Sequence, residues 1–175
     1  MSKIILSVGD KRVIEKKGLE QILNLLQVKG YQTIGPTVRD KAVILSELRS
    51  IAELPIGWTD FQEAGTYRLE RSKNGTFFGY ALGPHSWKKY LHPPRKRLWQ
   101  ARRSDTGFES VEQAQKAPKY AFIGVRPCEL SAMAILDNVF NTSDFFDPTY
   151  TLRRKQAFLV AVNCSRPAQT CFCVS

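Results

Sequence analysis

The chain has 175 residues and 43% apolar content, enough for one ordinary domain with a real core, which excludes wholesale disorder. No apolar run approaches the roughly 20 residues that span a bilayer, and the run after Met1 meets a charge too early for a secretory leader. A net charge of +10 asks for an anionic partner or an anionic centre.

In chain order, Leu19, Ile22, Leu23 and Leu26 form an i, i+3, i+4, i+7 stripe, and Gly30 is placed to end that helix. Residues 31–34 read as a strand stopped by Gly35 and Pro36, and residues 41–45 as a second strand. Residues 46–52 suggest a helical turn, and 54–58 a loop broken by Pro55 and Gly57. Two strand-like runs, 66–70 and 76–80, flank Asn74-Gly75, a pair that predicts a hairpin. Residues 83–91 predict a short helix before Pro93 and Pro94. The polar run 98–118 has little assignable structure. It suits a boundary between an N-terminal α+β part, 1–118, and a cysteine-bearing part, 119–175, together in one compact domain.

The last third is the most regular. Residues 119–125 form an apolar run of strand length, and Leu130, Met133, Ala134, Leu136 and Phe140 recur at helical spacing over 127–140. Residues 157–162 are apolar without alternation, as in a strand covered on both faces of a parallel sheet. The expected fold class is α/β, with α+β as the alternative: a small mixed sheet, a C-terminal parallel β-α-β unit and an N-terminal hairpin-containing part. Parallel strands joined through a helix are often neighbours, and ligands sit beyond their carboxyl ends. Cys128 follows the first of these strands and Cys164 the second, so both thiols are expected at one edge of the sheet.

Cys128, Cys164, Cys171 and Cys173 are the four cysteines of the chain. In a reducing cytoplasm, where this protein is expected, such clustering points to metal or redox work rather than disulfides. Cys128 follows Pro127 in the first turn of a helix, where unpaired N–H groups and the helix dipole favour a thiolate; Arg126 adds a cation. Cys171 and Cys173 would point the same way from an extended segment, and Pro167 helps the loop fold back. Four thiolates suit a structural zinc or a 4Fe-4S cluster. The spacing is that of neither a zinc ribbon nor a bacterial ferredoxin, and buried apolar cysteines are the bland alternative. Arg126, Arg153, Arg154, Lys155 and Arg166 flank these phrases and would stabilise an anionic cluster.

A second basic stretch holds Lys88, Lys89, Arg95, Lys96, Arg97, Arg102 and Arg103, with Trp87, Tyr90 and Trp99 interleaved. Lys88, Lys89, Arg95, Lys96 and Arg97 are candidates for docking an acidic protein. Nucleic acid is the competing partner, and the missing helix-turn-helix, finger or RNA-binding signature argues against it. No G-x-G-x-x-G or Walker loop occurs. His85 and His92 read as loop residues, Asp137, Asp144 and Asp147 as solvated, and Trp58, Trp87 and Trp99 as packing residues.

Several phrases together carry a resemblance. Gly124-Val-Arg-Pro-Cys-Glu-Leu-Ser-Ala132, Ile135-Leu-Asp137, Tyr150 with Arg153-Arg154, Asn163-Cys164 and Thr170-Cys-Phe-Cys173 are joined by Ile34-Gly-Pro36, Leu54-Pro-Ile-Gly-Trp58, Tyr67-Arg-Leu69, Gly83-Pro-His-Ser-Trp-Lys88 and Pro93-Pro-Arg95. The chain resembles the iron–sulfur β-subunit family of cytoplasmic hydrogenase/sulfur reductase, which includes the A subunit of anaerobic sulfite reductase. That resemblance implies an electron-transfer subunit between a flavin-bearing diaphorase and a catalytic hydrogenase or reductase subunit. The cluster ligands would be Cys128, Cys164, Cys171 and Cys173, with Arg126, Pro127, Arg154, Asn163 and Arg166 around them. Members of the family usually continue into a ferredoxin-like module with two further clusters. No such cysteine run occurs here, so a fragment, or a module on a separate polypeptide, is expected. The rival reading is a zinc-stabilised or metal-free α/β module that binds a partner through its basic surface.

Overall fold

The computed structural model describes residues 7–83, 85–97, 99–105, 107–111, 117–142, 146–169, 171 and 173. Helix α1, Lys16–Val28, buries Leu23 and Leu26. Gly30, at φ 80°, ends it as expected, and the Tyr31 N–H bonds back to the Leu26 carbonyl at 3.0 Å.

Strand β1, Gln32–Arg39, runs straight through the predicted stop at Gly35 and Pro36. Its parallel ladder to the strand at 120–122 ends at Ile34, so Pro36 has a strand neighbour on one side only. A residue without an N–H is tolerated there. Gly35 is needed because a Cβ would run into the side chain of Leu48. Asp40 and Lys41, both at positive φ, turn the chain into antiparallel β2, Ala42–Glu47. A single 3-10 turn, Ile51–Glu53, replaces the broader turn expected over 46–52.

The second hairpin differs from the expected one. β4, Thr66–Arg71, does form, but it pairs with β3, Trp58–Glu63, across the Ala64-Gly65 turn. Residues 76–80 form no strand. Phe77 and Phe78 pack into the core instead, because two adjacent aromatics cannot both face inward from a strand. The helix expected over 83–91 shrinks to α2, Lys88–Leu91. Within the polar run 98–118 lies a small hairpin of β5, Ala101–Ser104, and β6, Gly107–Ser110.

Strand β7, Tyr120–Val125, is buried throughout. Helix α3, Pro127–Phe140, follows, then α4, Pro148–Gln156, and β8, Phe158–Ala161. The central sheet is mixed, in the order β2-β1-β7-β8, with β1, β7 and β8 parallel. One sheet thus takes strands from both sides of residue 118. Ala121 and Ile123 face a core made with α1, Leu48 and Leu54. Tyr120 and Phe122 face the other, made with Trp87, Leu91, Met133 and Tyr150. The ladder shifts register at Gly124, so Val125 joins the Phe122 face rather than alternating away. β8 is an edge strand, not one covered on both faces, and Phe158 is 44% exposed. Among the described residues no helix is long and apolar enough to cross a membrane.

Candidate metal centre

The site grows from the ends of two neighbouring strands. β7 and β8 lie side by side and parallel, and the Val162 N–H extends the ladder to the Val125 carbonyl at 2.8 Å. The chain beyond each strand therefore leaves at the same edge. Beyond β7 come Arg126, Pro127 and Cys128; beyond β8 come Asn163 and Cys164. All four thiols are exposed and unbridged.

Arg126 is the N-cap of α3, and Pro127 stands at its first position. The Arg126 N–H donates to the Glu129 carboxylate at 2.8 Å. Its guanidinium, on a residue only 7% exposed, lies 5.9 Å from the Tyr80 ring and donates to the Cys164 sulfur at 3.4 Å. Glu129 is pushed above the ordinary carboxyl pKa by burial, against the Arg126 N–H, the nearby Trp87 indole and the Arg126 charge. The Trp87 N–H is close enough to favour that carboxylate yet makes no hydrogen bond of ordinary geometry.

Cys128 behaves differently from the sequence expectation. Burial, the Glu129 charge and Cys173 raise its thiol pKa, outweighing Arg126 and the N–H of Glu129. A bare helix start is therefore insufficient here; a metal would have to displace the proton.

The Cys164 thiol approaches the Arg166 carbonyl at 3.6 Å, and the Arg166 guanidinium donates to the Thr59 hydroxyl on β3. The loop then turns. The Ala168 carbonyl accepts from the Cys171 N–H at 3.0 Å, and the Cys171 sulfur accepts from the Ala168 N–H at 3.3 Å. Thr59 and the β3–β4 hairpin as supports of this loop left no signal in the sequence. Glu129 did leave one, an acid at the third position of a helix.

Other candidates lie elsewhere. Arg154 is paired through Nε with both Asp137 oxygens at 3.1 Å, and Asp137 also accepts from the Tyr150 hydroxyl at 2.6 Å. Asp137 is nine residues along α3 from Cys128, about 13 Å at helical rise. Arg154 thus joins α3 to α4, and Asp137 is not a solvated residue. The Arg153 guanidinium donates to the Tyr90 carbonyl at 2.6 Å. Asp147 caps α4 by accepting from the Thr149 and Tyr150 N–H groups at 2.7 and 3.0 Å. Asp144 lies outside the described residues. In the basic stretch Lys88, Lys89, Arg95, Lys96 and Arg97 are exposed. Trp87 is core, but Trp99 is 69% exposed and packs little.

Among the described residues, no three His, Cys, Asp or Glu side chains stand together as a ready-made metal site. Four thiols are exposed, the Cys164 and Cys171 sulfurs each accept an N–H bond, and the buried Arg126 guanidinium stands beside Cys164.

Over 88 residues, half of its length, the chain is 33% identical to the sulfhydrogenase 2 β subunit of Pyrococcus furiosus. The matched stretch is 24% of that relative, so the chain spans about a quarter of it. No known family profile matches the chain, and no solved structure does.

Proposed function

We propose that this chain is an electron-transfer subunit, or part of one, in a cytoplasmic hydrogenase, sulfur reductase or sulfite reductase complex, and that Cys128, Cys164, Cys171 and Cys173 hold one 4Fe-4S cluster. The observation that carries this reading is the parallel pairing of β7 with β8, with Arg126 at the end of one strand bonded to Cys164 at the end of the other. The likeness to a hydrogenase β subunit supports it independently.

When bound, the cluster would supply one-electron transfer. The chain's own residues prepare for it. Arg126 donates to the Cys164 sulfur and brings a cation to an anionic centre; Pro127 starts α3 so that Cys128 sits in its first turn. Arg166, held by Thr59, and the Ala168 N–H steady the loop that carries Cys164 and Cys171. Partners in this reading are a flavin-bearing diaphorase, a catalytic subunit and a separate ferredoxin-like module.

Anaerobic reconstitution with iron and sulfide tests it. A brown protein with about four iron and four sulfide ions per chain is expected. Cys128→Ser and Cys164→Ser should lose most of that iron. Equal iron in parent and variants overturns the assignment. A colourless protein retaining one zinc would place the same thiols in a structural site instead.

A further inference from the structure

An open surface depression of about 510 Å³ is lined by His85, Ser86, Lys88, Lys89, His92 and Pro94. No carboxylate lines it, and none occurs in the sequence from His85 to Arg103. Its polar groups are donors. The Lys89 ammonium lies 3.1 Å from the Leu45 carbonyl and 3.1 Å from Nδ1 of His85. An ammonium cannot accept, so Nδ1 accepts and the ring proton is on Nε2, a further donor. Burial first, and then the Lys89 charge, hold His85 below its ordinary pKa, which keeps this ring neutral. The Ser86 oxygen accepts from the Lys88 N–H at 3.2 Å, leaving its hydroxyl proton to donate. Burial lowers the Lys89 pKa, a cost that a bound anion would offset. On the apolar side, the His92 ring stacks on Phe140 at 4.7 Å, next to Pro94.

We propose that this depression binds a phosphorylated small molecule, with its phosphoryl group on Lys88, Lys89, Ser86 and His85 and its body against Pro94 and the His92 ring. Two cations, a hydroxyl proton and an imidazole N–H, with no carboxylate among them, complement a phosphoryl group, which carries close to two negative charges and acceptor oxygens. These four donors line a single surface depression, which suits a compact anion. The site does not depend on the cluster reading.

The test is titration of the full chain with pyrophosphate at constant ionic strength, followed by calorimetry. Saturable one-to-one binding is expected, and Lys88→Gln combined with Ser86→Ala should weaken it by at least about tenfold. Lys88→Gln alone changes an exposed side chain and should leave the thermal unfolding midpoint in place while still weakening binding, whereas Ser86→Ala also removes the bond to the Lys88 N–H and should lower the midpoint slightly. Arg102→Gln on β5 removes the same charge and should change affinity by less than about twofold. Equal weakening by the two changes would reveal diffuse charge attraction and overturn the site. So would a lack of saturation by about 10 mM, or binding of RNA or acidic peptides but not pyrophosphate.

Discussion

The guanidinium of Arg126 donates to the sulfur of Cys164 across 3.4 Å, tying the end of β7 to the end of β8. These residues are 38 positions apart, and two helices lie between them. The bond exists because β7 and β8 are parallel neighbours, and because burial against Tyr80 leaves the guanidinium little room to turn elsewhere.

Arg126→Gln should therefore destabilise the fold by about 2 kcal/mol, as expected for loss of a charged hydrogen bond at a buried position. Arg126→Lys should recover part of this but not the fork geometry. Urea unfolding measures both. A Gln variant as stable as the parent would show that the bond to Cys164 contributes nothing to folding.

Gly124 controls how the chain leaves β7. It sits at φ 88°, where the β7–β8 ladder shifts, and a Cβ would come within 2.8 Å of the Phe78 ring. Gly124→Ala should cost about 2–3 kcal/mol through combined backbone strain and overpacking. It should also reduce iron uptake on reconstitution, because the strand end carrying Arg126 and Cys128 is displaced. Unchanged stability and uptake together would contradict this role.

Asp137 holds α3 to α4 through the Tyr150 hydroxyl and Arg154. Asp137→Ala is expected to cost about 2 kcal/mol, and a double-mutant cycle with Arg154→Ala should give a coupling of about 1 kcal/mol. Iron binding should survive, since this pair lies far along α3 from Cys128. Loss of the cluster in Arg154→Ala at retained stability would restore Arg154 to the metal centre.

Asp147 offers a pH test. Burial alone would raise its pKa, but the Tyr150 and Thr149 N–H groups, with Lys96 and His92, hold it below the ordinary value of 3.8. A carboxyl depressed in the folded state contributes stability above its unfolded pKa and loses it as pH falls through the folded value. Asp147→Ala should thus cost about 1 kcal/mol at neutral pH, the worth of an N-cap. The gap between variant and parent should narrow as pH falls below the ordinary carboxyl value of 3.8 and the folded-state carboxylate takes up its proton. A gap independent of pH would mean that the charge plays no part.

Much of the C-terminal third was legible in order. Helix α3 spans the predicted residues because Pro127 starts it and its apolar residues recur at helical spacing. β7 was recognisable as an unbroken apolar run, and Gly30 as a helix stop. The β1–β2 turn was harder to see, since Asp40 and Lys41 adopt positive φ without an Asn-Gly signal. The hairpin partner of β4 was misread for the opposite reason: Asn74-Gly75 does turn the chain, yet the next aromatics pack into the core instead of continuing a ladder.

The sequence by itself determined the thiol inventory, the helix behind Cys128 and the two strands that precede Cys128 and Cys164. All of these depend on local periodicity and on residue chemistry. Tertiary structure alone decided that Arg126 reaches Cys164, that Arg154 bonds Asp137 across two helices, and that burial and Glu129 raise the Cys128 thiol against the pull of its helix. The reason is physical: charge and burial at a site depend on what packs around it, and distances across a sheet are set by strand order, which no short stretch of sequence encodes.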